Sequence, residues 1–285
     1  MNPRWVLKRA AKWVVEWGMT LCGGGIAYRR SAKFREGFRI LAYHGVADTP
    51  LDSYTVQTDH FRYHMEYLSD NFRVVDLAEL TQALKEGAKP PENTMAVTFD
   101  DGYKECAKSV AEILDRYRIP ATFFVVTDIL DGKIKSPSRE FLSWDDVRAL
   151  ALAGFSFGSH TSSHHSLGAL SFSEVMRELT ESRNRIQEEL GGAPVGLAYP
   201  YGTMRDFSPD VAAAAQRAGY IYAVTAVHGL NHKGCDPFTL RRTSLTAGDG
   251  ARTFRMIMRG CLDPWQIVDR WGYRLQRPSA GGLGQ

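Results

Sequence analysis

Short apolar runs, each closed by polar or glycine residues, alternate along the chain with longer stretches of helical periodicity. Residues 39–43 form the first run, ending at Tyr43-His44-Gly45. Thr58-Asp59-His60 reads as an N-cap, opening a helix through Phe61, Met65 and Leu68. A short strand at 72–75 precedes Asp76, which caps a helix over 77–85. Residues 94–99 form a strand, and 104–117 an amphipathic helix with Val110, Ile113 and Leu114 inward. The run 121–126 is apolar throughout, as expected where both sheet faces are covered. A Gly-, Lys- and Ser-containing loop spans 131–139, and Ser143 starts a helix reaching about 153. A strand at 155–158, a charged helix at 172–190, a strand at 195–199 and a helix at 211–218 follow. Strands at 220–225 and 238–242 close the set. Strands alternating with helices predict an α/β fold with a parallel sheet and helices outside.

Composition narrows this picture. The 285 residues suit one large domain, as α/β barrels of about 250 residues do. The net charge is +3, but residues 1–39 hold nine Lys/Arg against Glu16 and Glu36. A basic arm on a mildly acidic body differs from the even basic surface of a nucleic-acid binder, so no nucleic-acid partner is expected. Trp5, Trp13, Trp17 and Leu21 recur at roughly helical spacing beside basic residues. Three readings of the arm stand: an amphipathic anchor in peripheral contact with an anionic membrane, a helix packed on its own domain, or an export signal. A peripheral-membrane or cytoplasmic location is favoured, with export open. The four cysteines lack CxxC spacing, which argues against a cysteine-type zinc site. The expected organisation is an amphipathic arm over 1–38, a catalytic domain over 39–275 and a flexible tail over 276–285.

Two stretches carry the chemistry. Thr98-Phe99-Asp100-Asp101-Gly102 ends one strand, and Ser159-His160-Thr161-Ser162-Ser163-His164 follows another. Adjacent aspartates point apart on an ideal strand. Gly102 lets the backbone turn there, so one carboxylate can face a metal and the other a water. Histidines four residues apart can turn both imidazoles to one side and bind a metal at about 2.0–2.1 Å. Two histidines and one carboxylate make a three-ligand site with an open position, the pattern of a catalytic rather than a structural zinc site. Zinc is the expected divalent metal, and cobalt and nickel suit the same ligands. His60 and His64, and His228 and His232, repeat the spacing without a strand-end carboxylate and are read as decoys.

These two motifs resemble the first two motifs of the polysaccharide deacetylases (carbohydrate esterase family 4, the NodB homology domain). The similarity covers roughly residues 39–245. It implies a distorted (β/α) barrel and metal-dependent removal of N-acetyl groups from an amino-sugar glycan, with acetate released. By the resemblance, Asp100 matches the general base, and Asp101, His160 and His164 match the metal ligands. Ala198-Tyr199-Pro200-Tyr201-Gly202 stands where the family often has Arg-Pro-Pro-Tyr-Gly, so the Tyr201 N–H is expected at the oxyanion. The family's base-steadying arginine is Ala198 here, with Arg241 or Arg242 as its substitute. The family's late Leu-x-His motif is missing. His44, after an equivalent apolar strand, is the expected general acid, a pattern similar to the circularly permuted poly-N-acetylglucosamine deacetylase branch. Pro200, Tyr201, Trp144 and Arg242 are expected at the substrate. Removal of O-acetyl groups from a glycan, or a catalytically weak metal-bearing sugar-binding module, are the competing functions.

Overall fold

The computed structural model describes Val14, Trp17, Gly18 and residues 31–272. Of the expected arm over 1–38, Val14, Trp17 and Gly18, which are helical, and residues 31–38, with a short helix at Ala32–Arg35, are described; the 276–285 tail lies outside the described residues. Among the described residues no helix is long and apolar enough to cross a membrane.

The chain builds one large parallel sheet. Its strands are β1 (Arg39–Tyr43), β4 (Arg73–Val74), β5 (Thr94–Phe99), β6 (Ala121–Val125), β7 (Ser156–Ser159), β8 (Gly196–Ala198), β9 (Tyr222–Val224) and β10 (Arg242–Ser244). The order is β10-β1-β5-β6-β7-β8-β9, with β4 paired to the start of β5. Val224 bridges Leu240 in parallel, so the segment leading into β10 nearly closes the sheet into a barrel. Every residue of β1, β5 and β6 is buried, which is why these runs are apolar without alternation. Two further strands, β2 (Gly45–Ala47) and β3 (Thr55–Gln57), form a separate parallel pair beside the end of β1.

Besides a short helix at Ala32–Arg35, the described fold has helices α1 (Thr58–Asn71), α2 (Leu77–Lys85), α3 (Ser109–Arg116), α4 (Thr127–Leu130), α5 (Trp144–Leu152), α6 (Phe172–Leu190), α7 (Pro209–Arg217), α8 (Ala251–Met258) and α9 (Trp265–Gly272). Phe61, Met65 and Leu68 of α1 join Val110, Ile113 and Leu114 of α3 in the core outside the sheet. Inside the barrel sit Ile40, Ala96, Phe124, Ala198, Tyr222, Val224 and Leu240. Asp76 caps α2 by accepting from the Ala78 and Glu79 N–H groups. Ser143 and Ser171 open α5 and α6 with reciprocal capping boxes.

Four expectations are corrected. The helix over 104–117 breaks at Lys108 (φ −132°, ψ −79°) into a 3-10 turn, Lys104–Ala107, and α3. Thr58 lies within α1, whose N-cap is Gln57 without a side-chain cap bond. The last strand is Arg242–Ser244, shifted past the predicted 238–242. The β2–β3 pair, whose strands are three residues each, and helices α8 and α9 were not predicted.

Candidate active site

The predicted chemical groups follow strands of the parallel sheet: His44 after β1, Asp100 and Asp101 after β5, His160 after β7 and Tyr201 after β8. That is the end of an α/β barrel where loops can converge. The backbone there is held in a costly conformation. Among the described residues six non-glycine positions have left-handed φ, and four of them are Asp101 (71°), Thr161 (68°), His164 (62°) and Tyr201 (61°). Each costs about 1–3 kcal/mol and persists only where its surroundings over-determine it. The Asp pair thus diverges as expected, with the turn beginning at Asp101 itself and continuing through Gly102 (φ 70°).

Asp101, His160 and His164 come together as a buried cluster. Both imidazole Nε2 atoms stand 3.4 Å from Asp101 Oδ1. That oxygen has no hydrogen-bond partner, although it is buried. Donor atoms about 3.4 Å apart match two ligands of one tetrahedral centre at about 2.0–2.1 Å. An orphaned buried carboxylate oxygen facing two imidazole nitrogens is a donor set suited to a divalent cation. His160 Nδ1–H donates to the Ala198 carbonyl at 2.8 Å, which leaves Nε2 as its ligand atom. Burial opposes ionisation of Asp101, but the two imidazoles facing it, His160 and His164, outweigh it and hold the carboxyl well below its usual range. The histidines shift oppositely. Burial lowers His164, whereas at His160 burial is outweighed by the facing Asp101 carboxylate and the charge of Asp100.

Asp100 is held differently. Arg242 Nη1 and Nη2 donate to its two oxygens at 2.7 and 2.6 Å. The guanidinium is itself fixed by the Thr225 carbonyl (2.8 Å) and Thr98 Oγ1 (3.2 Å). Burial raises the Asp100 pKa, but Arg242 more than offsets it, and the carboxylate stays ionised. The bidentate pair uses two of about four acceptor sites on the carboxylate and leaves capacity for a water. Arg242 was expected at the substrate. It is instead 2% exposed, inside the barrel, with its guanidinium turned to Asp100. It takes the place left by Ala198, and the reason for expecting a catalytically weak module disappears with it.

Trp144 is likewise corrected. It is 9% exposed, its Nε1–H donates to Asp131 Oδ1 at 2.8 Å, and Arg185 covers its ring. It packs α5 rather than meeting substrate. His44 is half-buried at the site, its Nδ1 lacks a partner, and its ring lies 4.9 Å from that of Tyr54. It stands near enough to both aspartates to contribute to lowering Asp100 and Asp101. Pro200 and Tyr201 form a tight turn in which the Gly202 N–H donates to the Pro200 carbonyl at 2.7 Å. The Tyr201 ring stands edge-on to His164, 5.0 Å between centroids. The decoys do not gather ligands. His64 is a core residue stacked on Phe254, and His228 contacts Asp263.

Two buried acids absent from the sequence reading brace the loops. Glu178 accepts from the Ser162 and Ser163 N–H groups at 3.1 and 2.9 Å. Its signal was present, since it falls on the inward face of α6 with Val175, Leu179 and Ser182. Asp206 accepts from Ser166 Oγ (2.6 Å) and from the Thr203 N–H (2.9 Å). It joins the loop after His164 to the turn carrying Tyr201, a contact no local pattern announces.

Comparison with known proteins agrees with this architecture. The polysaccharide deacetylase family model matches residues 87–223. That stretch of the chain is therefore similar to the polysaccharide deacetylase domain, whose family acts on acetylated glycans. The Bacillus subtilis (strain 168) protein YxkH is 26% identical over 216 residues, 75% of this chain and 74% of its own. Poly-beta-1,6-N-acetyl-D-glucosamine N-deacetylase of Staphylococcus aureus (strain MRSA252) is 25% identical over 203 residues, 68% of this chain and 67% of its own. The solved Streptococcus pyogenes deacetylase PplD shares the fold with a TM-score of 0.70 at 21% identity, over 79% of this chain and 99% of that one.

Proposed function

We propose that this protein is a metal-dependent hydrolase that removes N-acetyl groups from amino-sugar residues of a glycan and releases acetate. The observation that carries this reading is the pairing of an ionised, arginine-held Asp100 with the Asp101–His160–His164 cluster one residue away. Similarity to the staphylococcal poly-N-acetylglucosamine deacetylase supports an N-acetylated amino sugar as substrate.

A divalent cation held by Asp101, His160 and His164, most simply zinc, would supply Lewis-acid polarisation of the acetyl carbonyl and a more acidic water. The chain's own residues do the rest. Asp100, kept anionic by Arg242, accepts the proton of the attacking water. The Tyr201 main-chain N–H donates to the oxyanion as charge develops on the carbonyl oxygen. His44 delivers a proton to the departing amine, so that acetate and a free amine leave. A base and an acid of different pKa in one site are what this sequence of transfers needs.

The test is acetate release by the purified, metal-loaded protein from β-1,6-linked N-acetylglucosamine oligomers, with an O-acetylated xylan alongside. Release from the first, suppressed by chelator, supports the reading. Release only from the O-acetylated glycan overturns the amide specificity, and release from neither overturns the activity.

A further inference from the structure

One rigid loop at the edge of the site has no part in the chemistry described above. Residues 48–54 join β2 to β3 immediately after His44. Asp52 fastens the loop from within: its Oδ1 accepts from the Tyr54 N–H and Thr55 Oγ1, both at 2.8 Å. Arg139, 7% exposed at its side chain, fastens it from below. It donates to Asp52 Oδ2 at 2.8 Å, to Thr55 Oγ1 at 2.9 Å and to Glu105 Oε1 at 2.7 Å, and lies over the Tyr103 ring at 3.8 Å. A Cβ at Gly45 would lie 2.4 Å from Arg139 Nη2, so the guanidinium passes close over the backbone there. A third fastening is the Ala247 N–H, which donates to the Ser53 carbonyl at 3.0 Å.

Held this firmly, the loop nevertheless presents two large apolar side chains to solvent, Leu51 at 63% and Tyr54 at 49% exposure. The Tyr54 ring lies 4.9 Å from the His44 ring at a 41° tilt. Burial and the charges of Asp52 and Asp101 push its phenol pKa up. Exposed aromatic surface on a pre-organised loop beside a reaction centre loses little entropy when covered. The axial C–H faces of a pyranose are the flat, weakly apolar surface that such a ring accepts, with the phenol tip left in water.

We propose that Tyr54, with Leu51 at its edge, is the platform for the sugar residue next to the one being deacetylated, so that the site reads an oligosaccharide rather than a lone sugar. The proposal rests on the glycan-deacetylase reading above. It makes Tyr54 a substrate-positioning residue whose effect grows with the length of the glycan.

The experiment compares a β-1,6-linked N-acetylglucosamine pentamer with the monosaccharide. Tyr54→Ala is expected to raise KM for the pentamer by about five- to twentyfold. The loss of kcat/KM on the monosaccharide should be clearly smaller. Tyr54→Phe should restore the pentamer KM. Leu51→Asp, a surface change that does not touch His44, should raise the same KM at least twofold. A pentamer KM within twofold of wild type in Tyr54→Ala overturns the platform, and so does an equal fall in kcat on both substrates, which would mean that Tyr54 only steadies His44. Calorimetric binding of the pentamer to Asp100→Asn, with and without Tyr54→Ala, separates the two readings. Tyr54-dependent binding without acetate release by the wild type overturns the deacetylase and keeps the subsite; acetate release indifferent to Tyr54 does the reverse.

Discussion

Arg242 and Asp100, 142 residues apart, meet inside the barrel through two parallel hydrogen bonds of 2.7 and 2.6 Å. The pair decides two properties of the proposed base. It fixes the carboxylate's orientation, and it holds the pKa down against burial, so the base is anionic but weakened. Arg242→Ala should therefore lower kcat by about 10²–10⁴-fold, the span of a lost general base. The acid limb of the pH–rate profile should move upward as Asp100 loses its counter-charge. Ala198 lines the same interior and is fully buried. Ala198→Arg in the Arg242→Ala background should recover part of the activity, because a guanidinium entering from β8 can reach the same carboxylate. Placed in the wild type, Ala198→Arg should destabilise by overpacking, by about 1–3 kcal/mol. Steady-state kinetics and thermal melts of the three variants read all of this; no recovery in the double variant would show that β8 cannot substitute for β10.

Asp206 offers a test of how the Tyr201 turn is held. Its carboxylate is 2% exposed and ties Thr203 on that turn to Ser166 on the histidine loop. A Cβ on Gly168 would lie 1.8 Å from the Arg205 carbonyl, so the two loops touch backbone to backbone. Asp206→Ala leaves the Thr203 N–H without its acceptor and should cost about 1–3 kcal/mol of stability. Beyond that, kcat should fall with little change in KM, since the role proposed for the Tyr201 N–H is on the oxyanion and not on the bound glycan. Asp206→Asn, which keeps an acceptor for Thr203, should restore most of the kcat. Equal losses in the two variants would assign Asp206 a purely structural role.

The strands and the reacting groups were legible in the sequence because both are local. A run such as 94–99 followed by Asp100-Asp101-Gly102 announces a buried parallel strand and its turn together. The spacing of His160 and His164 sufficed to pick out two of the three clustered residues. What the sequence hid was long-range pairing. Arg241 and Arg242 stood equally as substitutes for the missing arginine, since nothing near Arg242 marks its side chain as threading the barrel interior. Trp144 sits beside a helix cap, where an exposed sugar-binding role and a packed one look alike; Asp131 and Arg185, distant in the chain, settle it. The loop of residues 48–54 was passed over because a turn-rich stretch carries no sign of the arginine that rigidifies it.

His64 makes a prediction about stability. It is fully buried, stacked on Phe254 at 3.9 Å, accepting from the Tyr43 hydroxyl (3.1 Å) and donating to the Asp249 carbonyl (2.7 Å). Burial pushes its pKa down to about 3, with the Asp249 hydrogen bond opposing and the neighbouring His60 adding to the fall. As pH drops below the ordinary value of 6.5, the unfolded chain takes up a proton here and the native chain does not. Stability is therefore fully present above 6.5 and is lost progressively toward the folded value of about 3, by about 1.4 kcal/mol per pH unit. Urea midpoints between about pH 6.5 and 5, above most carboxylate titrations, should fall less steeply in His64→Gln than in wild type. Parallel curves would mean that the native state protonates this ring after all.

The last prediction separates holding a metal from using it. Asp101, His160 and His164 are 6%, 2% and 7% exposed, and Asp101 carries its charge with one oxygen unpaired. A cation there relieves a penalty that the folded chain alone cannot, and it binds the folded state because the unfolded chain scatters the three donors. Ligand present at about 100 times its dissociation constant stabilises by about 2.7 kcal/mol. For a domain of this size that raises Tm by about 5–10 °C. Zinc added to the chelator-treated protein should give this shift, and cobalt and nickel should be compared with it. His160→Ala and Asp101→Asn should lose both the shift and the activity, each by removing a donor. Asp100→Asn should lose the activity alone: its side chain faces Arg242 and leaves the three donors in place. Differential scanning calorimetry with metal analysis and acetate release on the same preparations makes the comparison. An Asp100→Asn variant that turns over at near the wild-type rate would sink the base assignment, and one that no longer takes up zinc would place Asp100 among the ligands.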